Sequence, residues 1–290
     1  MILVIVGPTG IGKTKLSIEL AKKLNAEIIN ADSVQIYKEV NIASAKIKKE
    51  EMENIKHHML SKKSLKEKST IYDFQKEGRK IIDELLEKGK NIIIVGGSGL
   101  YLKALLYNYE LEEEQENNNY YSELSNEELK NKIDIIYPKN NIHVNNRKRL
   151  VRFLNYYEKT GKIINNKTNK NEKKYNFKLI GLTTDRETLK RQVNNRVDEM
   201  IKEGLIEEVK DLYKKNYPKL DQIIGCKELI PYFEKKTSLD EAIEKIKSNT
   251  RKYLKRQYTW YNNQMKDIKW FNVDIENFEN TIKEVILYIE

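Results

Sequence analysis

Eight residues near the amino terminus, GPTGIGKT at positions 7–14, combine the residue types that hold a phosphate. Gly7, Gly12, Lys13 and Thr14 satisfy the spacing G-x-x-x-x-G-K-[ST], with Pro8, Thr9, Gly10 and Ile11 between them. In such a loop the glycines let backbone N–H groups wrap the anion, and the helix that follows adds its positive dipole end. Lys13 supplies a mobile cation, and the Thr14 hydroxyl is placed to bind Mg²⁺. A loop of this kind is ordinarily an ATP site. A nucleotide hydrolase or kinase also needs an apolar strand ending in a metal-holding Asp. The natural candidate, NIIIV at 91–95, ends in Gly96, Gly97 and Ser98 instead. A phosphate site is therefore expected, whereas ATP hydrolysis is not.

A second group of reactive residues lies in ADSVQIY, positions 31–37. An Asp at the carboxyl end of a parallel strand faces the crevice where such sheets bind ligands. Asp32 there would face a bound ligand; equally, it could cap the next helix, since Asp-Ser is a common cap. Ser98 offers a hydroxyl after the third apolar run, in a segment that also reads as a tight strand-to-helix turn.

The elements that must position these residues are legible as hydrophobic runs. ILVIV at 2–6, EIIN at 27–30, NIIIV at 91–95 and NFKLIGLTT at 176–184 read as strands. Amphipathic helices are expected at about 13–24, at 71–88, after Gly99 and through most of 186–262. KWFNV and a closing helix finish the chain. Strands alternating with helices imply an α/β fold: a parallel, doubly wound sheet of the P-loop type, flanked by helices. The character changes near residue 108. A small helical insertion is expected over 109–140, with a helix near 125–136. The core is expected over 1–108 and 141–290, including a helix from about Asn146 to Lys159. Residues 165–176, rich in Asn and Lys, read as a loop.

Five blocks in order, GPTGIGKT, ADSVQIYKEVNIASAK, VGGSGLYLKALL, IIGCKELIPY and TRKYLKRQYTW, resemble the tRNA dimethylallyltransferase family. The resemblance implies transfer of a dimethylallyl group from dimethylallyl diphosphate to N6 of the adenosine immediately 3′ of the anticodon. The implied substrates are tRNAs reading codons that begin with U, and the phosphate loop would then hold a diphosphate leaving group rather than ATP. By the same resemblance Asp32 is the base, and Ser33, Val34 and Gln35 contact the adenine. Ser98, where the family has Thr, contacts substrate near the reacting centre. Arg196, with Arg191 as second candidate, helps to hold diphosphate, and Lys148, Arg149 and Arg152 meet the anticodon stem-loop. Mg²⁺ is the implied cofactor. Departures from the pattern fall at Ser44, Ser61 and Cys226, and the insertion is short.

Arg149 and Arg152 lie three apart and share a helix face, which suits phosphate contacts. The segment 247–261 mixes Lys247, Arg251, Lys252, Lys255 and Arg256 with Tyr253, Tyr258, Trp260 and Tyr261, which suits RNA; an amphipathic helix burying its aromatics is the competing reading, preferred for Trp260.

The bulk numbers agree with a polyanion partner without demanding one. The net charge is +10 over 290 residues. The single cysteine excludes an internal disulfide and fits the cytoplasm. The opening apolar run is too short for a membrane span. A monomer is expected. His57 and His58 read as surface residues pointing apart rather than a metal pair. A P-loop kinase would need an acid after 91–95, and an enzyme prenylating free adenine nucleotides would need no basic segments. The sequence shows the opposite on both counts.

Overall fold

The computed structural model describes residues 1–109, 111, 121–163 and 171–290. The acidic run of the insertion and the first part of the loop expected at 165–176 lie outside the described residues. Two compact units emerge. One comprises Met1–Tyr107 with Lys173–Glu290, and the other Asn108–Glu172.

The first unit is built on a six-stranded parallel sheet in the order β3-β2-β4-β1-β5-β6. The strands are β1 (Ile2–Val6), β2 (Ala26–Asn30), β3 (His57–His58), β4 (Asn91–Val95), β5 (Lys178–Thr183) and β6 (Ile268–Asn272). β1 is central and wholly buried, with Val4 registered on Ile94 and Leu179. Its alternating side chains seed two cores, because successive residues of a strand face opposite sides. Leu3 and Ile5 join one cluster with Leu16, Leu20, Ile28 and Ile93. Ile2, Val4 and Val6 join the other with Ile29, Phe74, Ile82 and Leu105. Burial on both faces explains why these strands read as continuous apolar runs.

Helices α1 (Lys13–Leu24), α2 (Ile71–Glu87), α3 (Gly99–Leu106), α6 (Arg186–Lys202), α7 (Leu205–Lys214), α8 (Ile230–Phe233), α9 (Leu239–Gln264) and α10 (Phe278–Ile289) complete this unit. Local chemistry fixes the starts of two of them. Thr70 with Asp73 and Ser238 with Glu241 form capping boxes at α2 and α9.

The second unit contains α4 (Asn126–Ile136) and α5 (Arg147–Thr160). Here the structure differs from the expected boundary of 140. Leu150, Phe153 and Leu154 of α5 form a separate small core with Tyr121, Leu129 and Ile133, so α5 belongs with the insertion and the first unit resumes at Lys173. Two further corrections concern β3 and the segment after β2. His57 and His58 are half-buried in a short edge strand paired with β2, rather than on the surface. The residues after Asp32 form a turn, not a helix. Among the described residues no helix is long and apolar enough to cross a membrane.

Candidate active site

The carboxyl ends of β1, β2 and β4 frame one cavity of about 570 Å³. The phosphate loop follows β1. Gly12 adopts φ 97°, and a Cβ there would lie 2.4 Å from the Phe278 ring, so neither the backbone nor the space admits a side chain. From Gly12 the loop passes directly into α1, whose first-turn N–H groups end at the cavity. Lys13 Nζ donates to the Pro8 carbonyl at 2.6 Å, folding back over the loop. Burial pushes the Lys13 ammonium down to about 7; Asp32 opposes that shift and Arg196 adds to it. An anion bound beside Lys13 would favour its charged form.

Asp32 projects from the end of β2 into the same cavity. Its Oδ1 accepts the amides of Val34 at 2.9 Å and Gln35 at 3.3 Å. The capping role therefore exists, but it caps a turn. It occupies one carboxylate oxygen, Oδ1. Gln35 also lines the cavity, and its Nε2 donates to the Ser44 and Ala45 carbonyls at 3.0 and 3.3 Å. Ser44 holds its own turn by donating to the Val40 carbonyl at 2.8 Å, so its hydroxyl is in use where the family has Thr.

Arg196 of α6 reaches the cavity from the far side of the sheet order. Its Nη2 lies 3.5 Å from the Ala45 carbonyl, and its aliphatic stem passes 3.8 Å from where a Gly10 side chain would begin. Burial lowers its pKa. Arg191 is exposed and donates to Thr188, which leaves Arg196 as the arginine of this cavity.

Ser98 lies in the turn that follows β4. It is nearly buried and does not line the cavity; Gly96 and Gly97 do. Its Oγ accepts the Ser33 amide at 3.0 Å and donates to Ser33 Oγ at 3.1 Å, locking the turn after β4 to the turn after β2. Ser33 and Val34 likewise fall outside the cavity lining. Pro8 and Ile11 support the loop from behind; Ile11 is buried in the core.

The basic segments divide into structural and exposed members. Lys247 pairs with Asp198 at 2.7 Å, and Arg251 donates to Asn194 at 2.6 Å, so both brace α9 against α6. Lys252, Lys255 and Arg256 are exposed. Within the second unit, Arg147 donates to the Leu124 and Tyr121 carbonyls at 2.6 and 2.7 Å and is structural. Lys148, Arg149 and Arg152 are exposed. Trp260 is half-buried against Gly99, as preferred from the sequence. Cys226 is buried, and burial pushes its thiol up to about 12, so it is an inert packing residue where the family has Tyr.

The family model described as IPP transferase matches residues 35–264. The chain belongs to the IPP transferase family. A tRNA dimethylallyltransferase of Anoxybacillus flavithermus is 44% identical, over 100% of this chain and 96% of that protein. The crystal structure of a tRNA isopentenylpyrophosphate transferase from Staphylococcus epidermidis superposes with a TM-score of 0.75 at 38% identity. It covers 99% of this chain and 98% of that one. A eukaryotic dimethylallyltransferase captured acting on tRNA superposes with a TM-score of 0.87 at 30% identity, over 99% of this chain and 77% of that one. The parallel α/β architecture is thus the family's, and the cavity lies within the family's fold.

Sequence reasoning missed three contributors. Asn30 and His57 line the cavity but sit in short strands with no motif. Glu208 shapes the loop over the cavity from α7, where it looks like an ordinary surface glutamate.

Proposed function

We propose that the protein transfers a dimethylallyl group from dimethylallyl diphosphate to N6 of the adenosine 3′ of the anticodon in tRNA, releasing diphosphate. One observation carries this reading: the phosphate cradle and Asp32 share a single cavity, while β4 ends in Gly96 and Gly97 rather than in an acid. A kinase site lacks its metal-holding acid there. A site for ionising an allylic diphosphate needs only the cradle and a base.

The chemistry follows from the placement. Cleavage of the allylic C–O bond leaves negative charge on the diphosphate and positive charge on the allyl fragment. The backbone N–H groups of the loop, Lys13 and Arg196 stabilise the leaving diphosphate. Asp32 takes the N6 proton as the new C–N bond forms, through the oxygen not committed to Val34 and Gln35. Gln35 presents its side chain from the same wall, against the base drawn out of its stack.

The residues also fit Mg²⁺. Among the described residues no cluster of three His, Cys, Asp or Glu could hold a metal alone. The exposed Thr14 hydroxyl lies at the cavity, and a hard ion that keeps waters and binds phosphate oxygens needs little more from the protein. When bound it would neutralise charge on the diphosphate.

The test is to incubate the protein with unmodified tRNA, Mg²⁺ and dimethylallyl diphosphate, then analyse nucleosides by mass spectrometry, with AMP as a competing acceptor. N6-dimethylallyladenosine in tRNA supports the reading. Product on AMP alone would replace it with a free-nucleotide prenyltransferase.

A further inference from the structure

Helix α9 grips the turn after β4 with residues spaced one helical turn apart. Tyr253, Gln257 and Tyr261 fall on one face. Gln257 Nε2 donates to the Gly97 carbonyl at 2.8 Å, and the Tyr261 hydroxyl donates to the Gly96 carbonyl at 3.4 Å. The Tyr253 hydroxyl lies beside Ser98 and Gln257. Ser98 holds Ser33 through both its amide and its hydroxyl, and the next turn amides rest on Asp32 Oδ1. Hydrogen bonds, together with the chain links from Gly97 to Ser98 and from Ser33 to Val34, therefore join Gln257 to Asp32. The two are also close in space: a Cβ built on Gly97 would lie 2.5 Å from Gln257 Nε2 and 3.6 Å from Asp32 Oδ2.

Gln257 is 5% exposed, and its Oε1 is buried with no hydrogen-bond partner among the described residues. Leaving a buried acceptor unpaired is destabilising, and the amide offsets that through its single bond, from Nε2 to the buried Gly97 carbonyl. What the amide contributes at this position is therefore the fixing of the Gly97 carbonyl.

We infer that Gln257 is a positioning residue for the transfer reaction: it sets the Gly97–Ser98 turn and, through Ser33, the orientation of the Asp32 carboxylate. This rests on the reading of Asp32 as base. The charged and titratable groups facing Asp32 are Lys13 from the phosphate loop and Tyr253 and Tyr261 from α9. Tyr253 stays protonated at neutral pH, since burial, reinforced by Asp32, pushes its phenol up to about 12.

The test compares Gln257→Met, Gln257→Glu and Asp32→Asn in the full chain. Gln257→Met keeps the volume and removes both polar atoms. Its kcat is expected to fall by about 10- to 100-fold, with KM for both substrates within about threefold, since small misplacements of reacting groups carry penalties of this size. Its Tm should fall modestly, because the buried Gly97 carbonyl loses its donor, while the protein stays folded at the assay temperature. Gln257→Glu places a second carboxylate beside Asp32 and should move the acid limb of the kcat–pH profile to higher pH. A kcat within twofold of wild type for Gln257→Met would overturn the inference. So would a loss that merely tracks Tm, with the acid limb unmoved in Gln257→Glu. Asp32→Asn separates the two readings. Inactivity there with normal Gln257 variants sinks only the role of Gln257, whereas retained activity sinks the base and this inference together.

Discussion

The two oxygens of Asp32 have separate employment. Oδ1 accepts the Val34 and Gln35 amides, and Oδ2 faces Gly97. Asn at position 32 keeps a carbonyl for the amides and loses the proton acceptor. Asp32→Asn is therefore expected to fold normally and to slow transfer by about 10²- to 10⁴-fold in single-turnover nucleoside analysis. Lys13 gives a second prediction. Because burial holds it at about 7, it is mostly neutral at pH 8 in the free enzyme, and a bound diphosphate returns its proton. Calorimetry in buffers of different ionisation enthalpy should show about one more proton taken up per diphosphate at pH 8 by wild type than by Lys13→Arg. At pH 6, where Lys13 is already charged, that difference should vanish. At this scale the sequence was informative wherever chemistry demands a fixed spacing, as in Gly7 to Thr14. It offered the Ser98 hydroxyl and its tight turn but not the tie to Ser33, because spacing does not reveal which partner a hydroxyl finds.

The loop over the cavity depends on one carboxylate from another element. Glu208 of α7 accepts the amides of Asn41, Ile42 and Ala43 at 3.0, 2.9 and 3.0 Å. Those bonds fix the loop whose Ser44 and Ala45 carbonyls hold Gln35 and Arg196. Glu208→Ala leaves three amides unpaired and should lower stability by roughly 2–3 kcal/mol in urea unfolding. It should raise KM for the diphosphate donor more than it lowers kcat. Strands β1 and β4 and helix α1 were readable because double-sided burial and the phosphate motif leave unambiguous patterns. The limits of the insertion were not. The sequence of α5 shows an apolar stripe of Leu150, Phe153 and Leu154, but a stripe does not say which core it joins. Strand β3, from His57 to His58, is too short to leave any period.

Over the whole molecule the net charge of +10 is resolved into named positions. Lys252, Lys255 and Arg256 are exposed along α9, and Lys148, Arg149 and Arg152 along α5, while Lys247, Arg251 and Arg147 are committed to internal partners. Contacts from such side chains to an RNA backbone would make affinity fall with salt. Replacing Lys252, Lys255 and Arg256 together by Gln should reduce the slope of log affinity against log salt by about 2 in anisotropy titrations of a labelled anticodon stem-loop. Diphosphate binding should be unchanged, because none of the three lines the cavity.

In the proposed reaction the phosphate loop stabilises a leaving diphosphate instead of turning over ATP. Inorganic diphosphate and N6-dimethylallyladenosine can be followed together in one reaction of tRNA, dimethylallyl diphosphate and Mg²⁺, with ATP supplied in parallel. Equimolar release of diphosphate and formation of modified nucleoside are expected, with ATP untouched. Hydrolysis of ATP without modified nucleoside would contradict the proposed reaction.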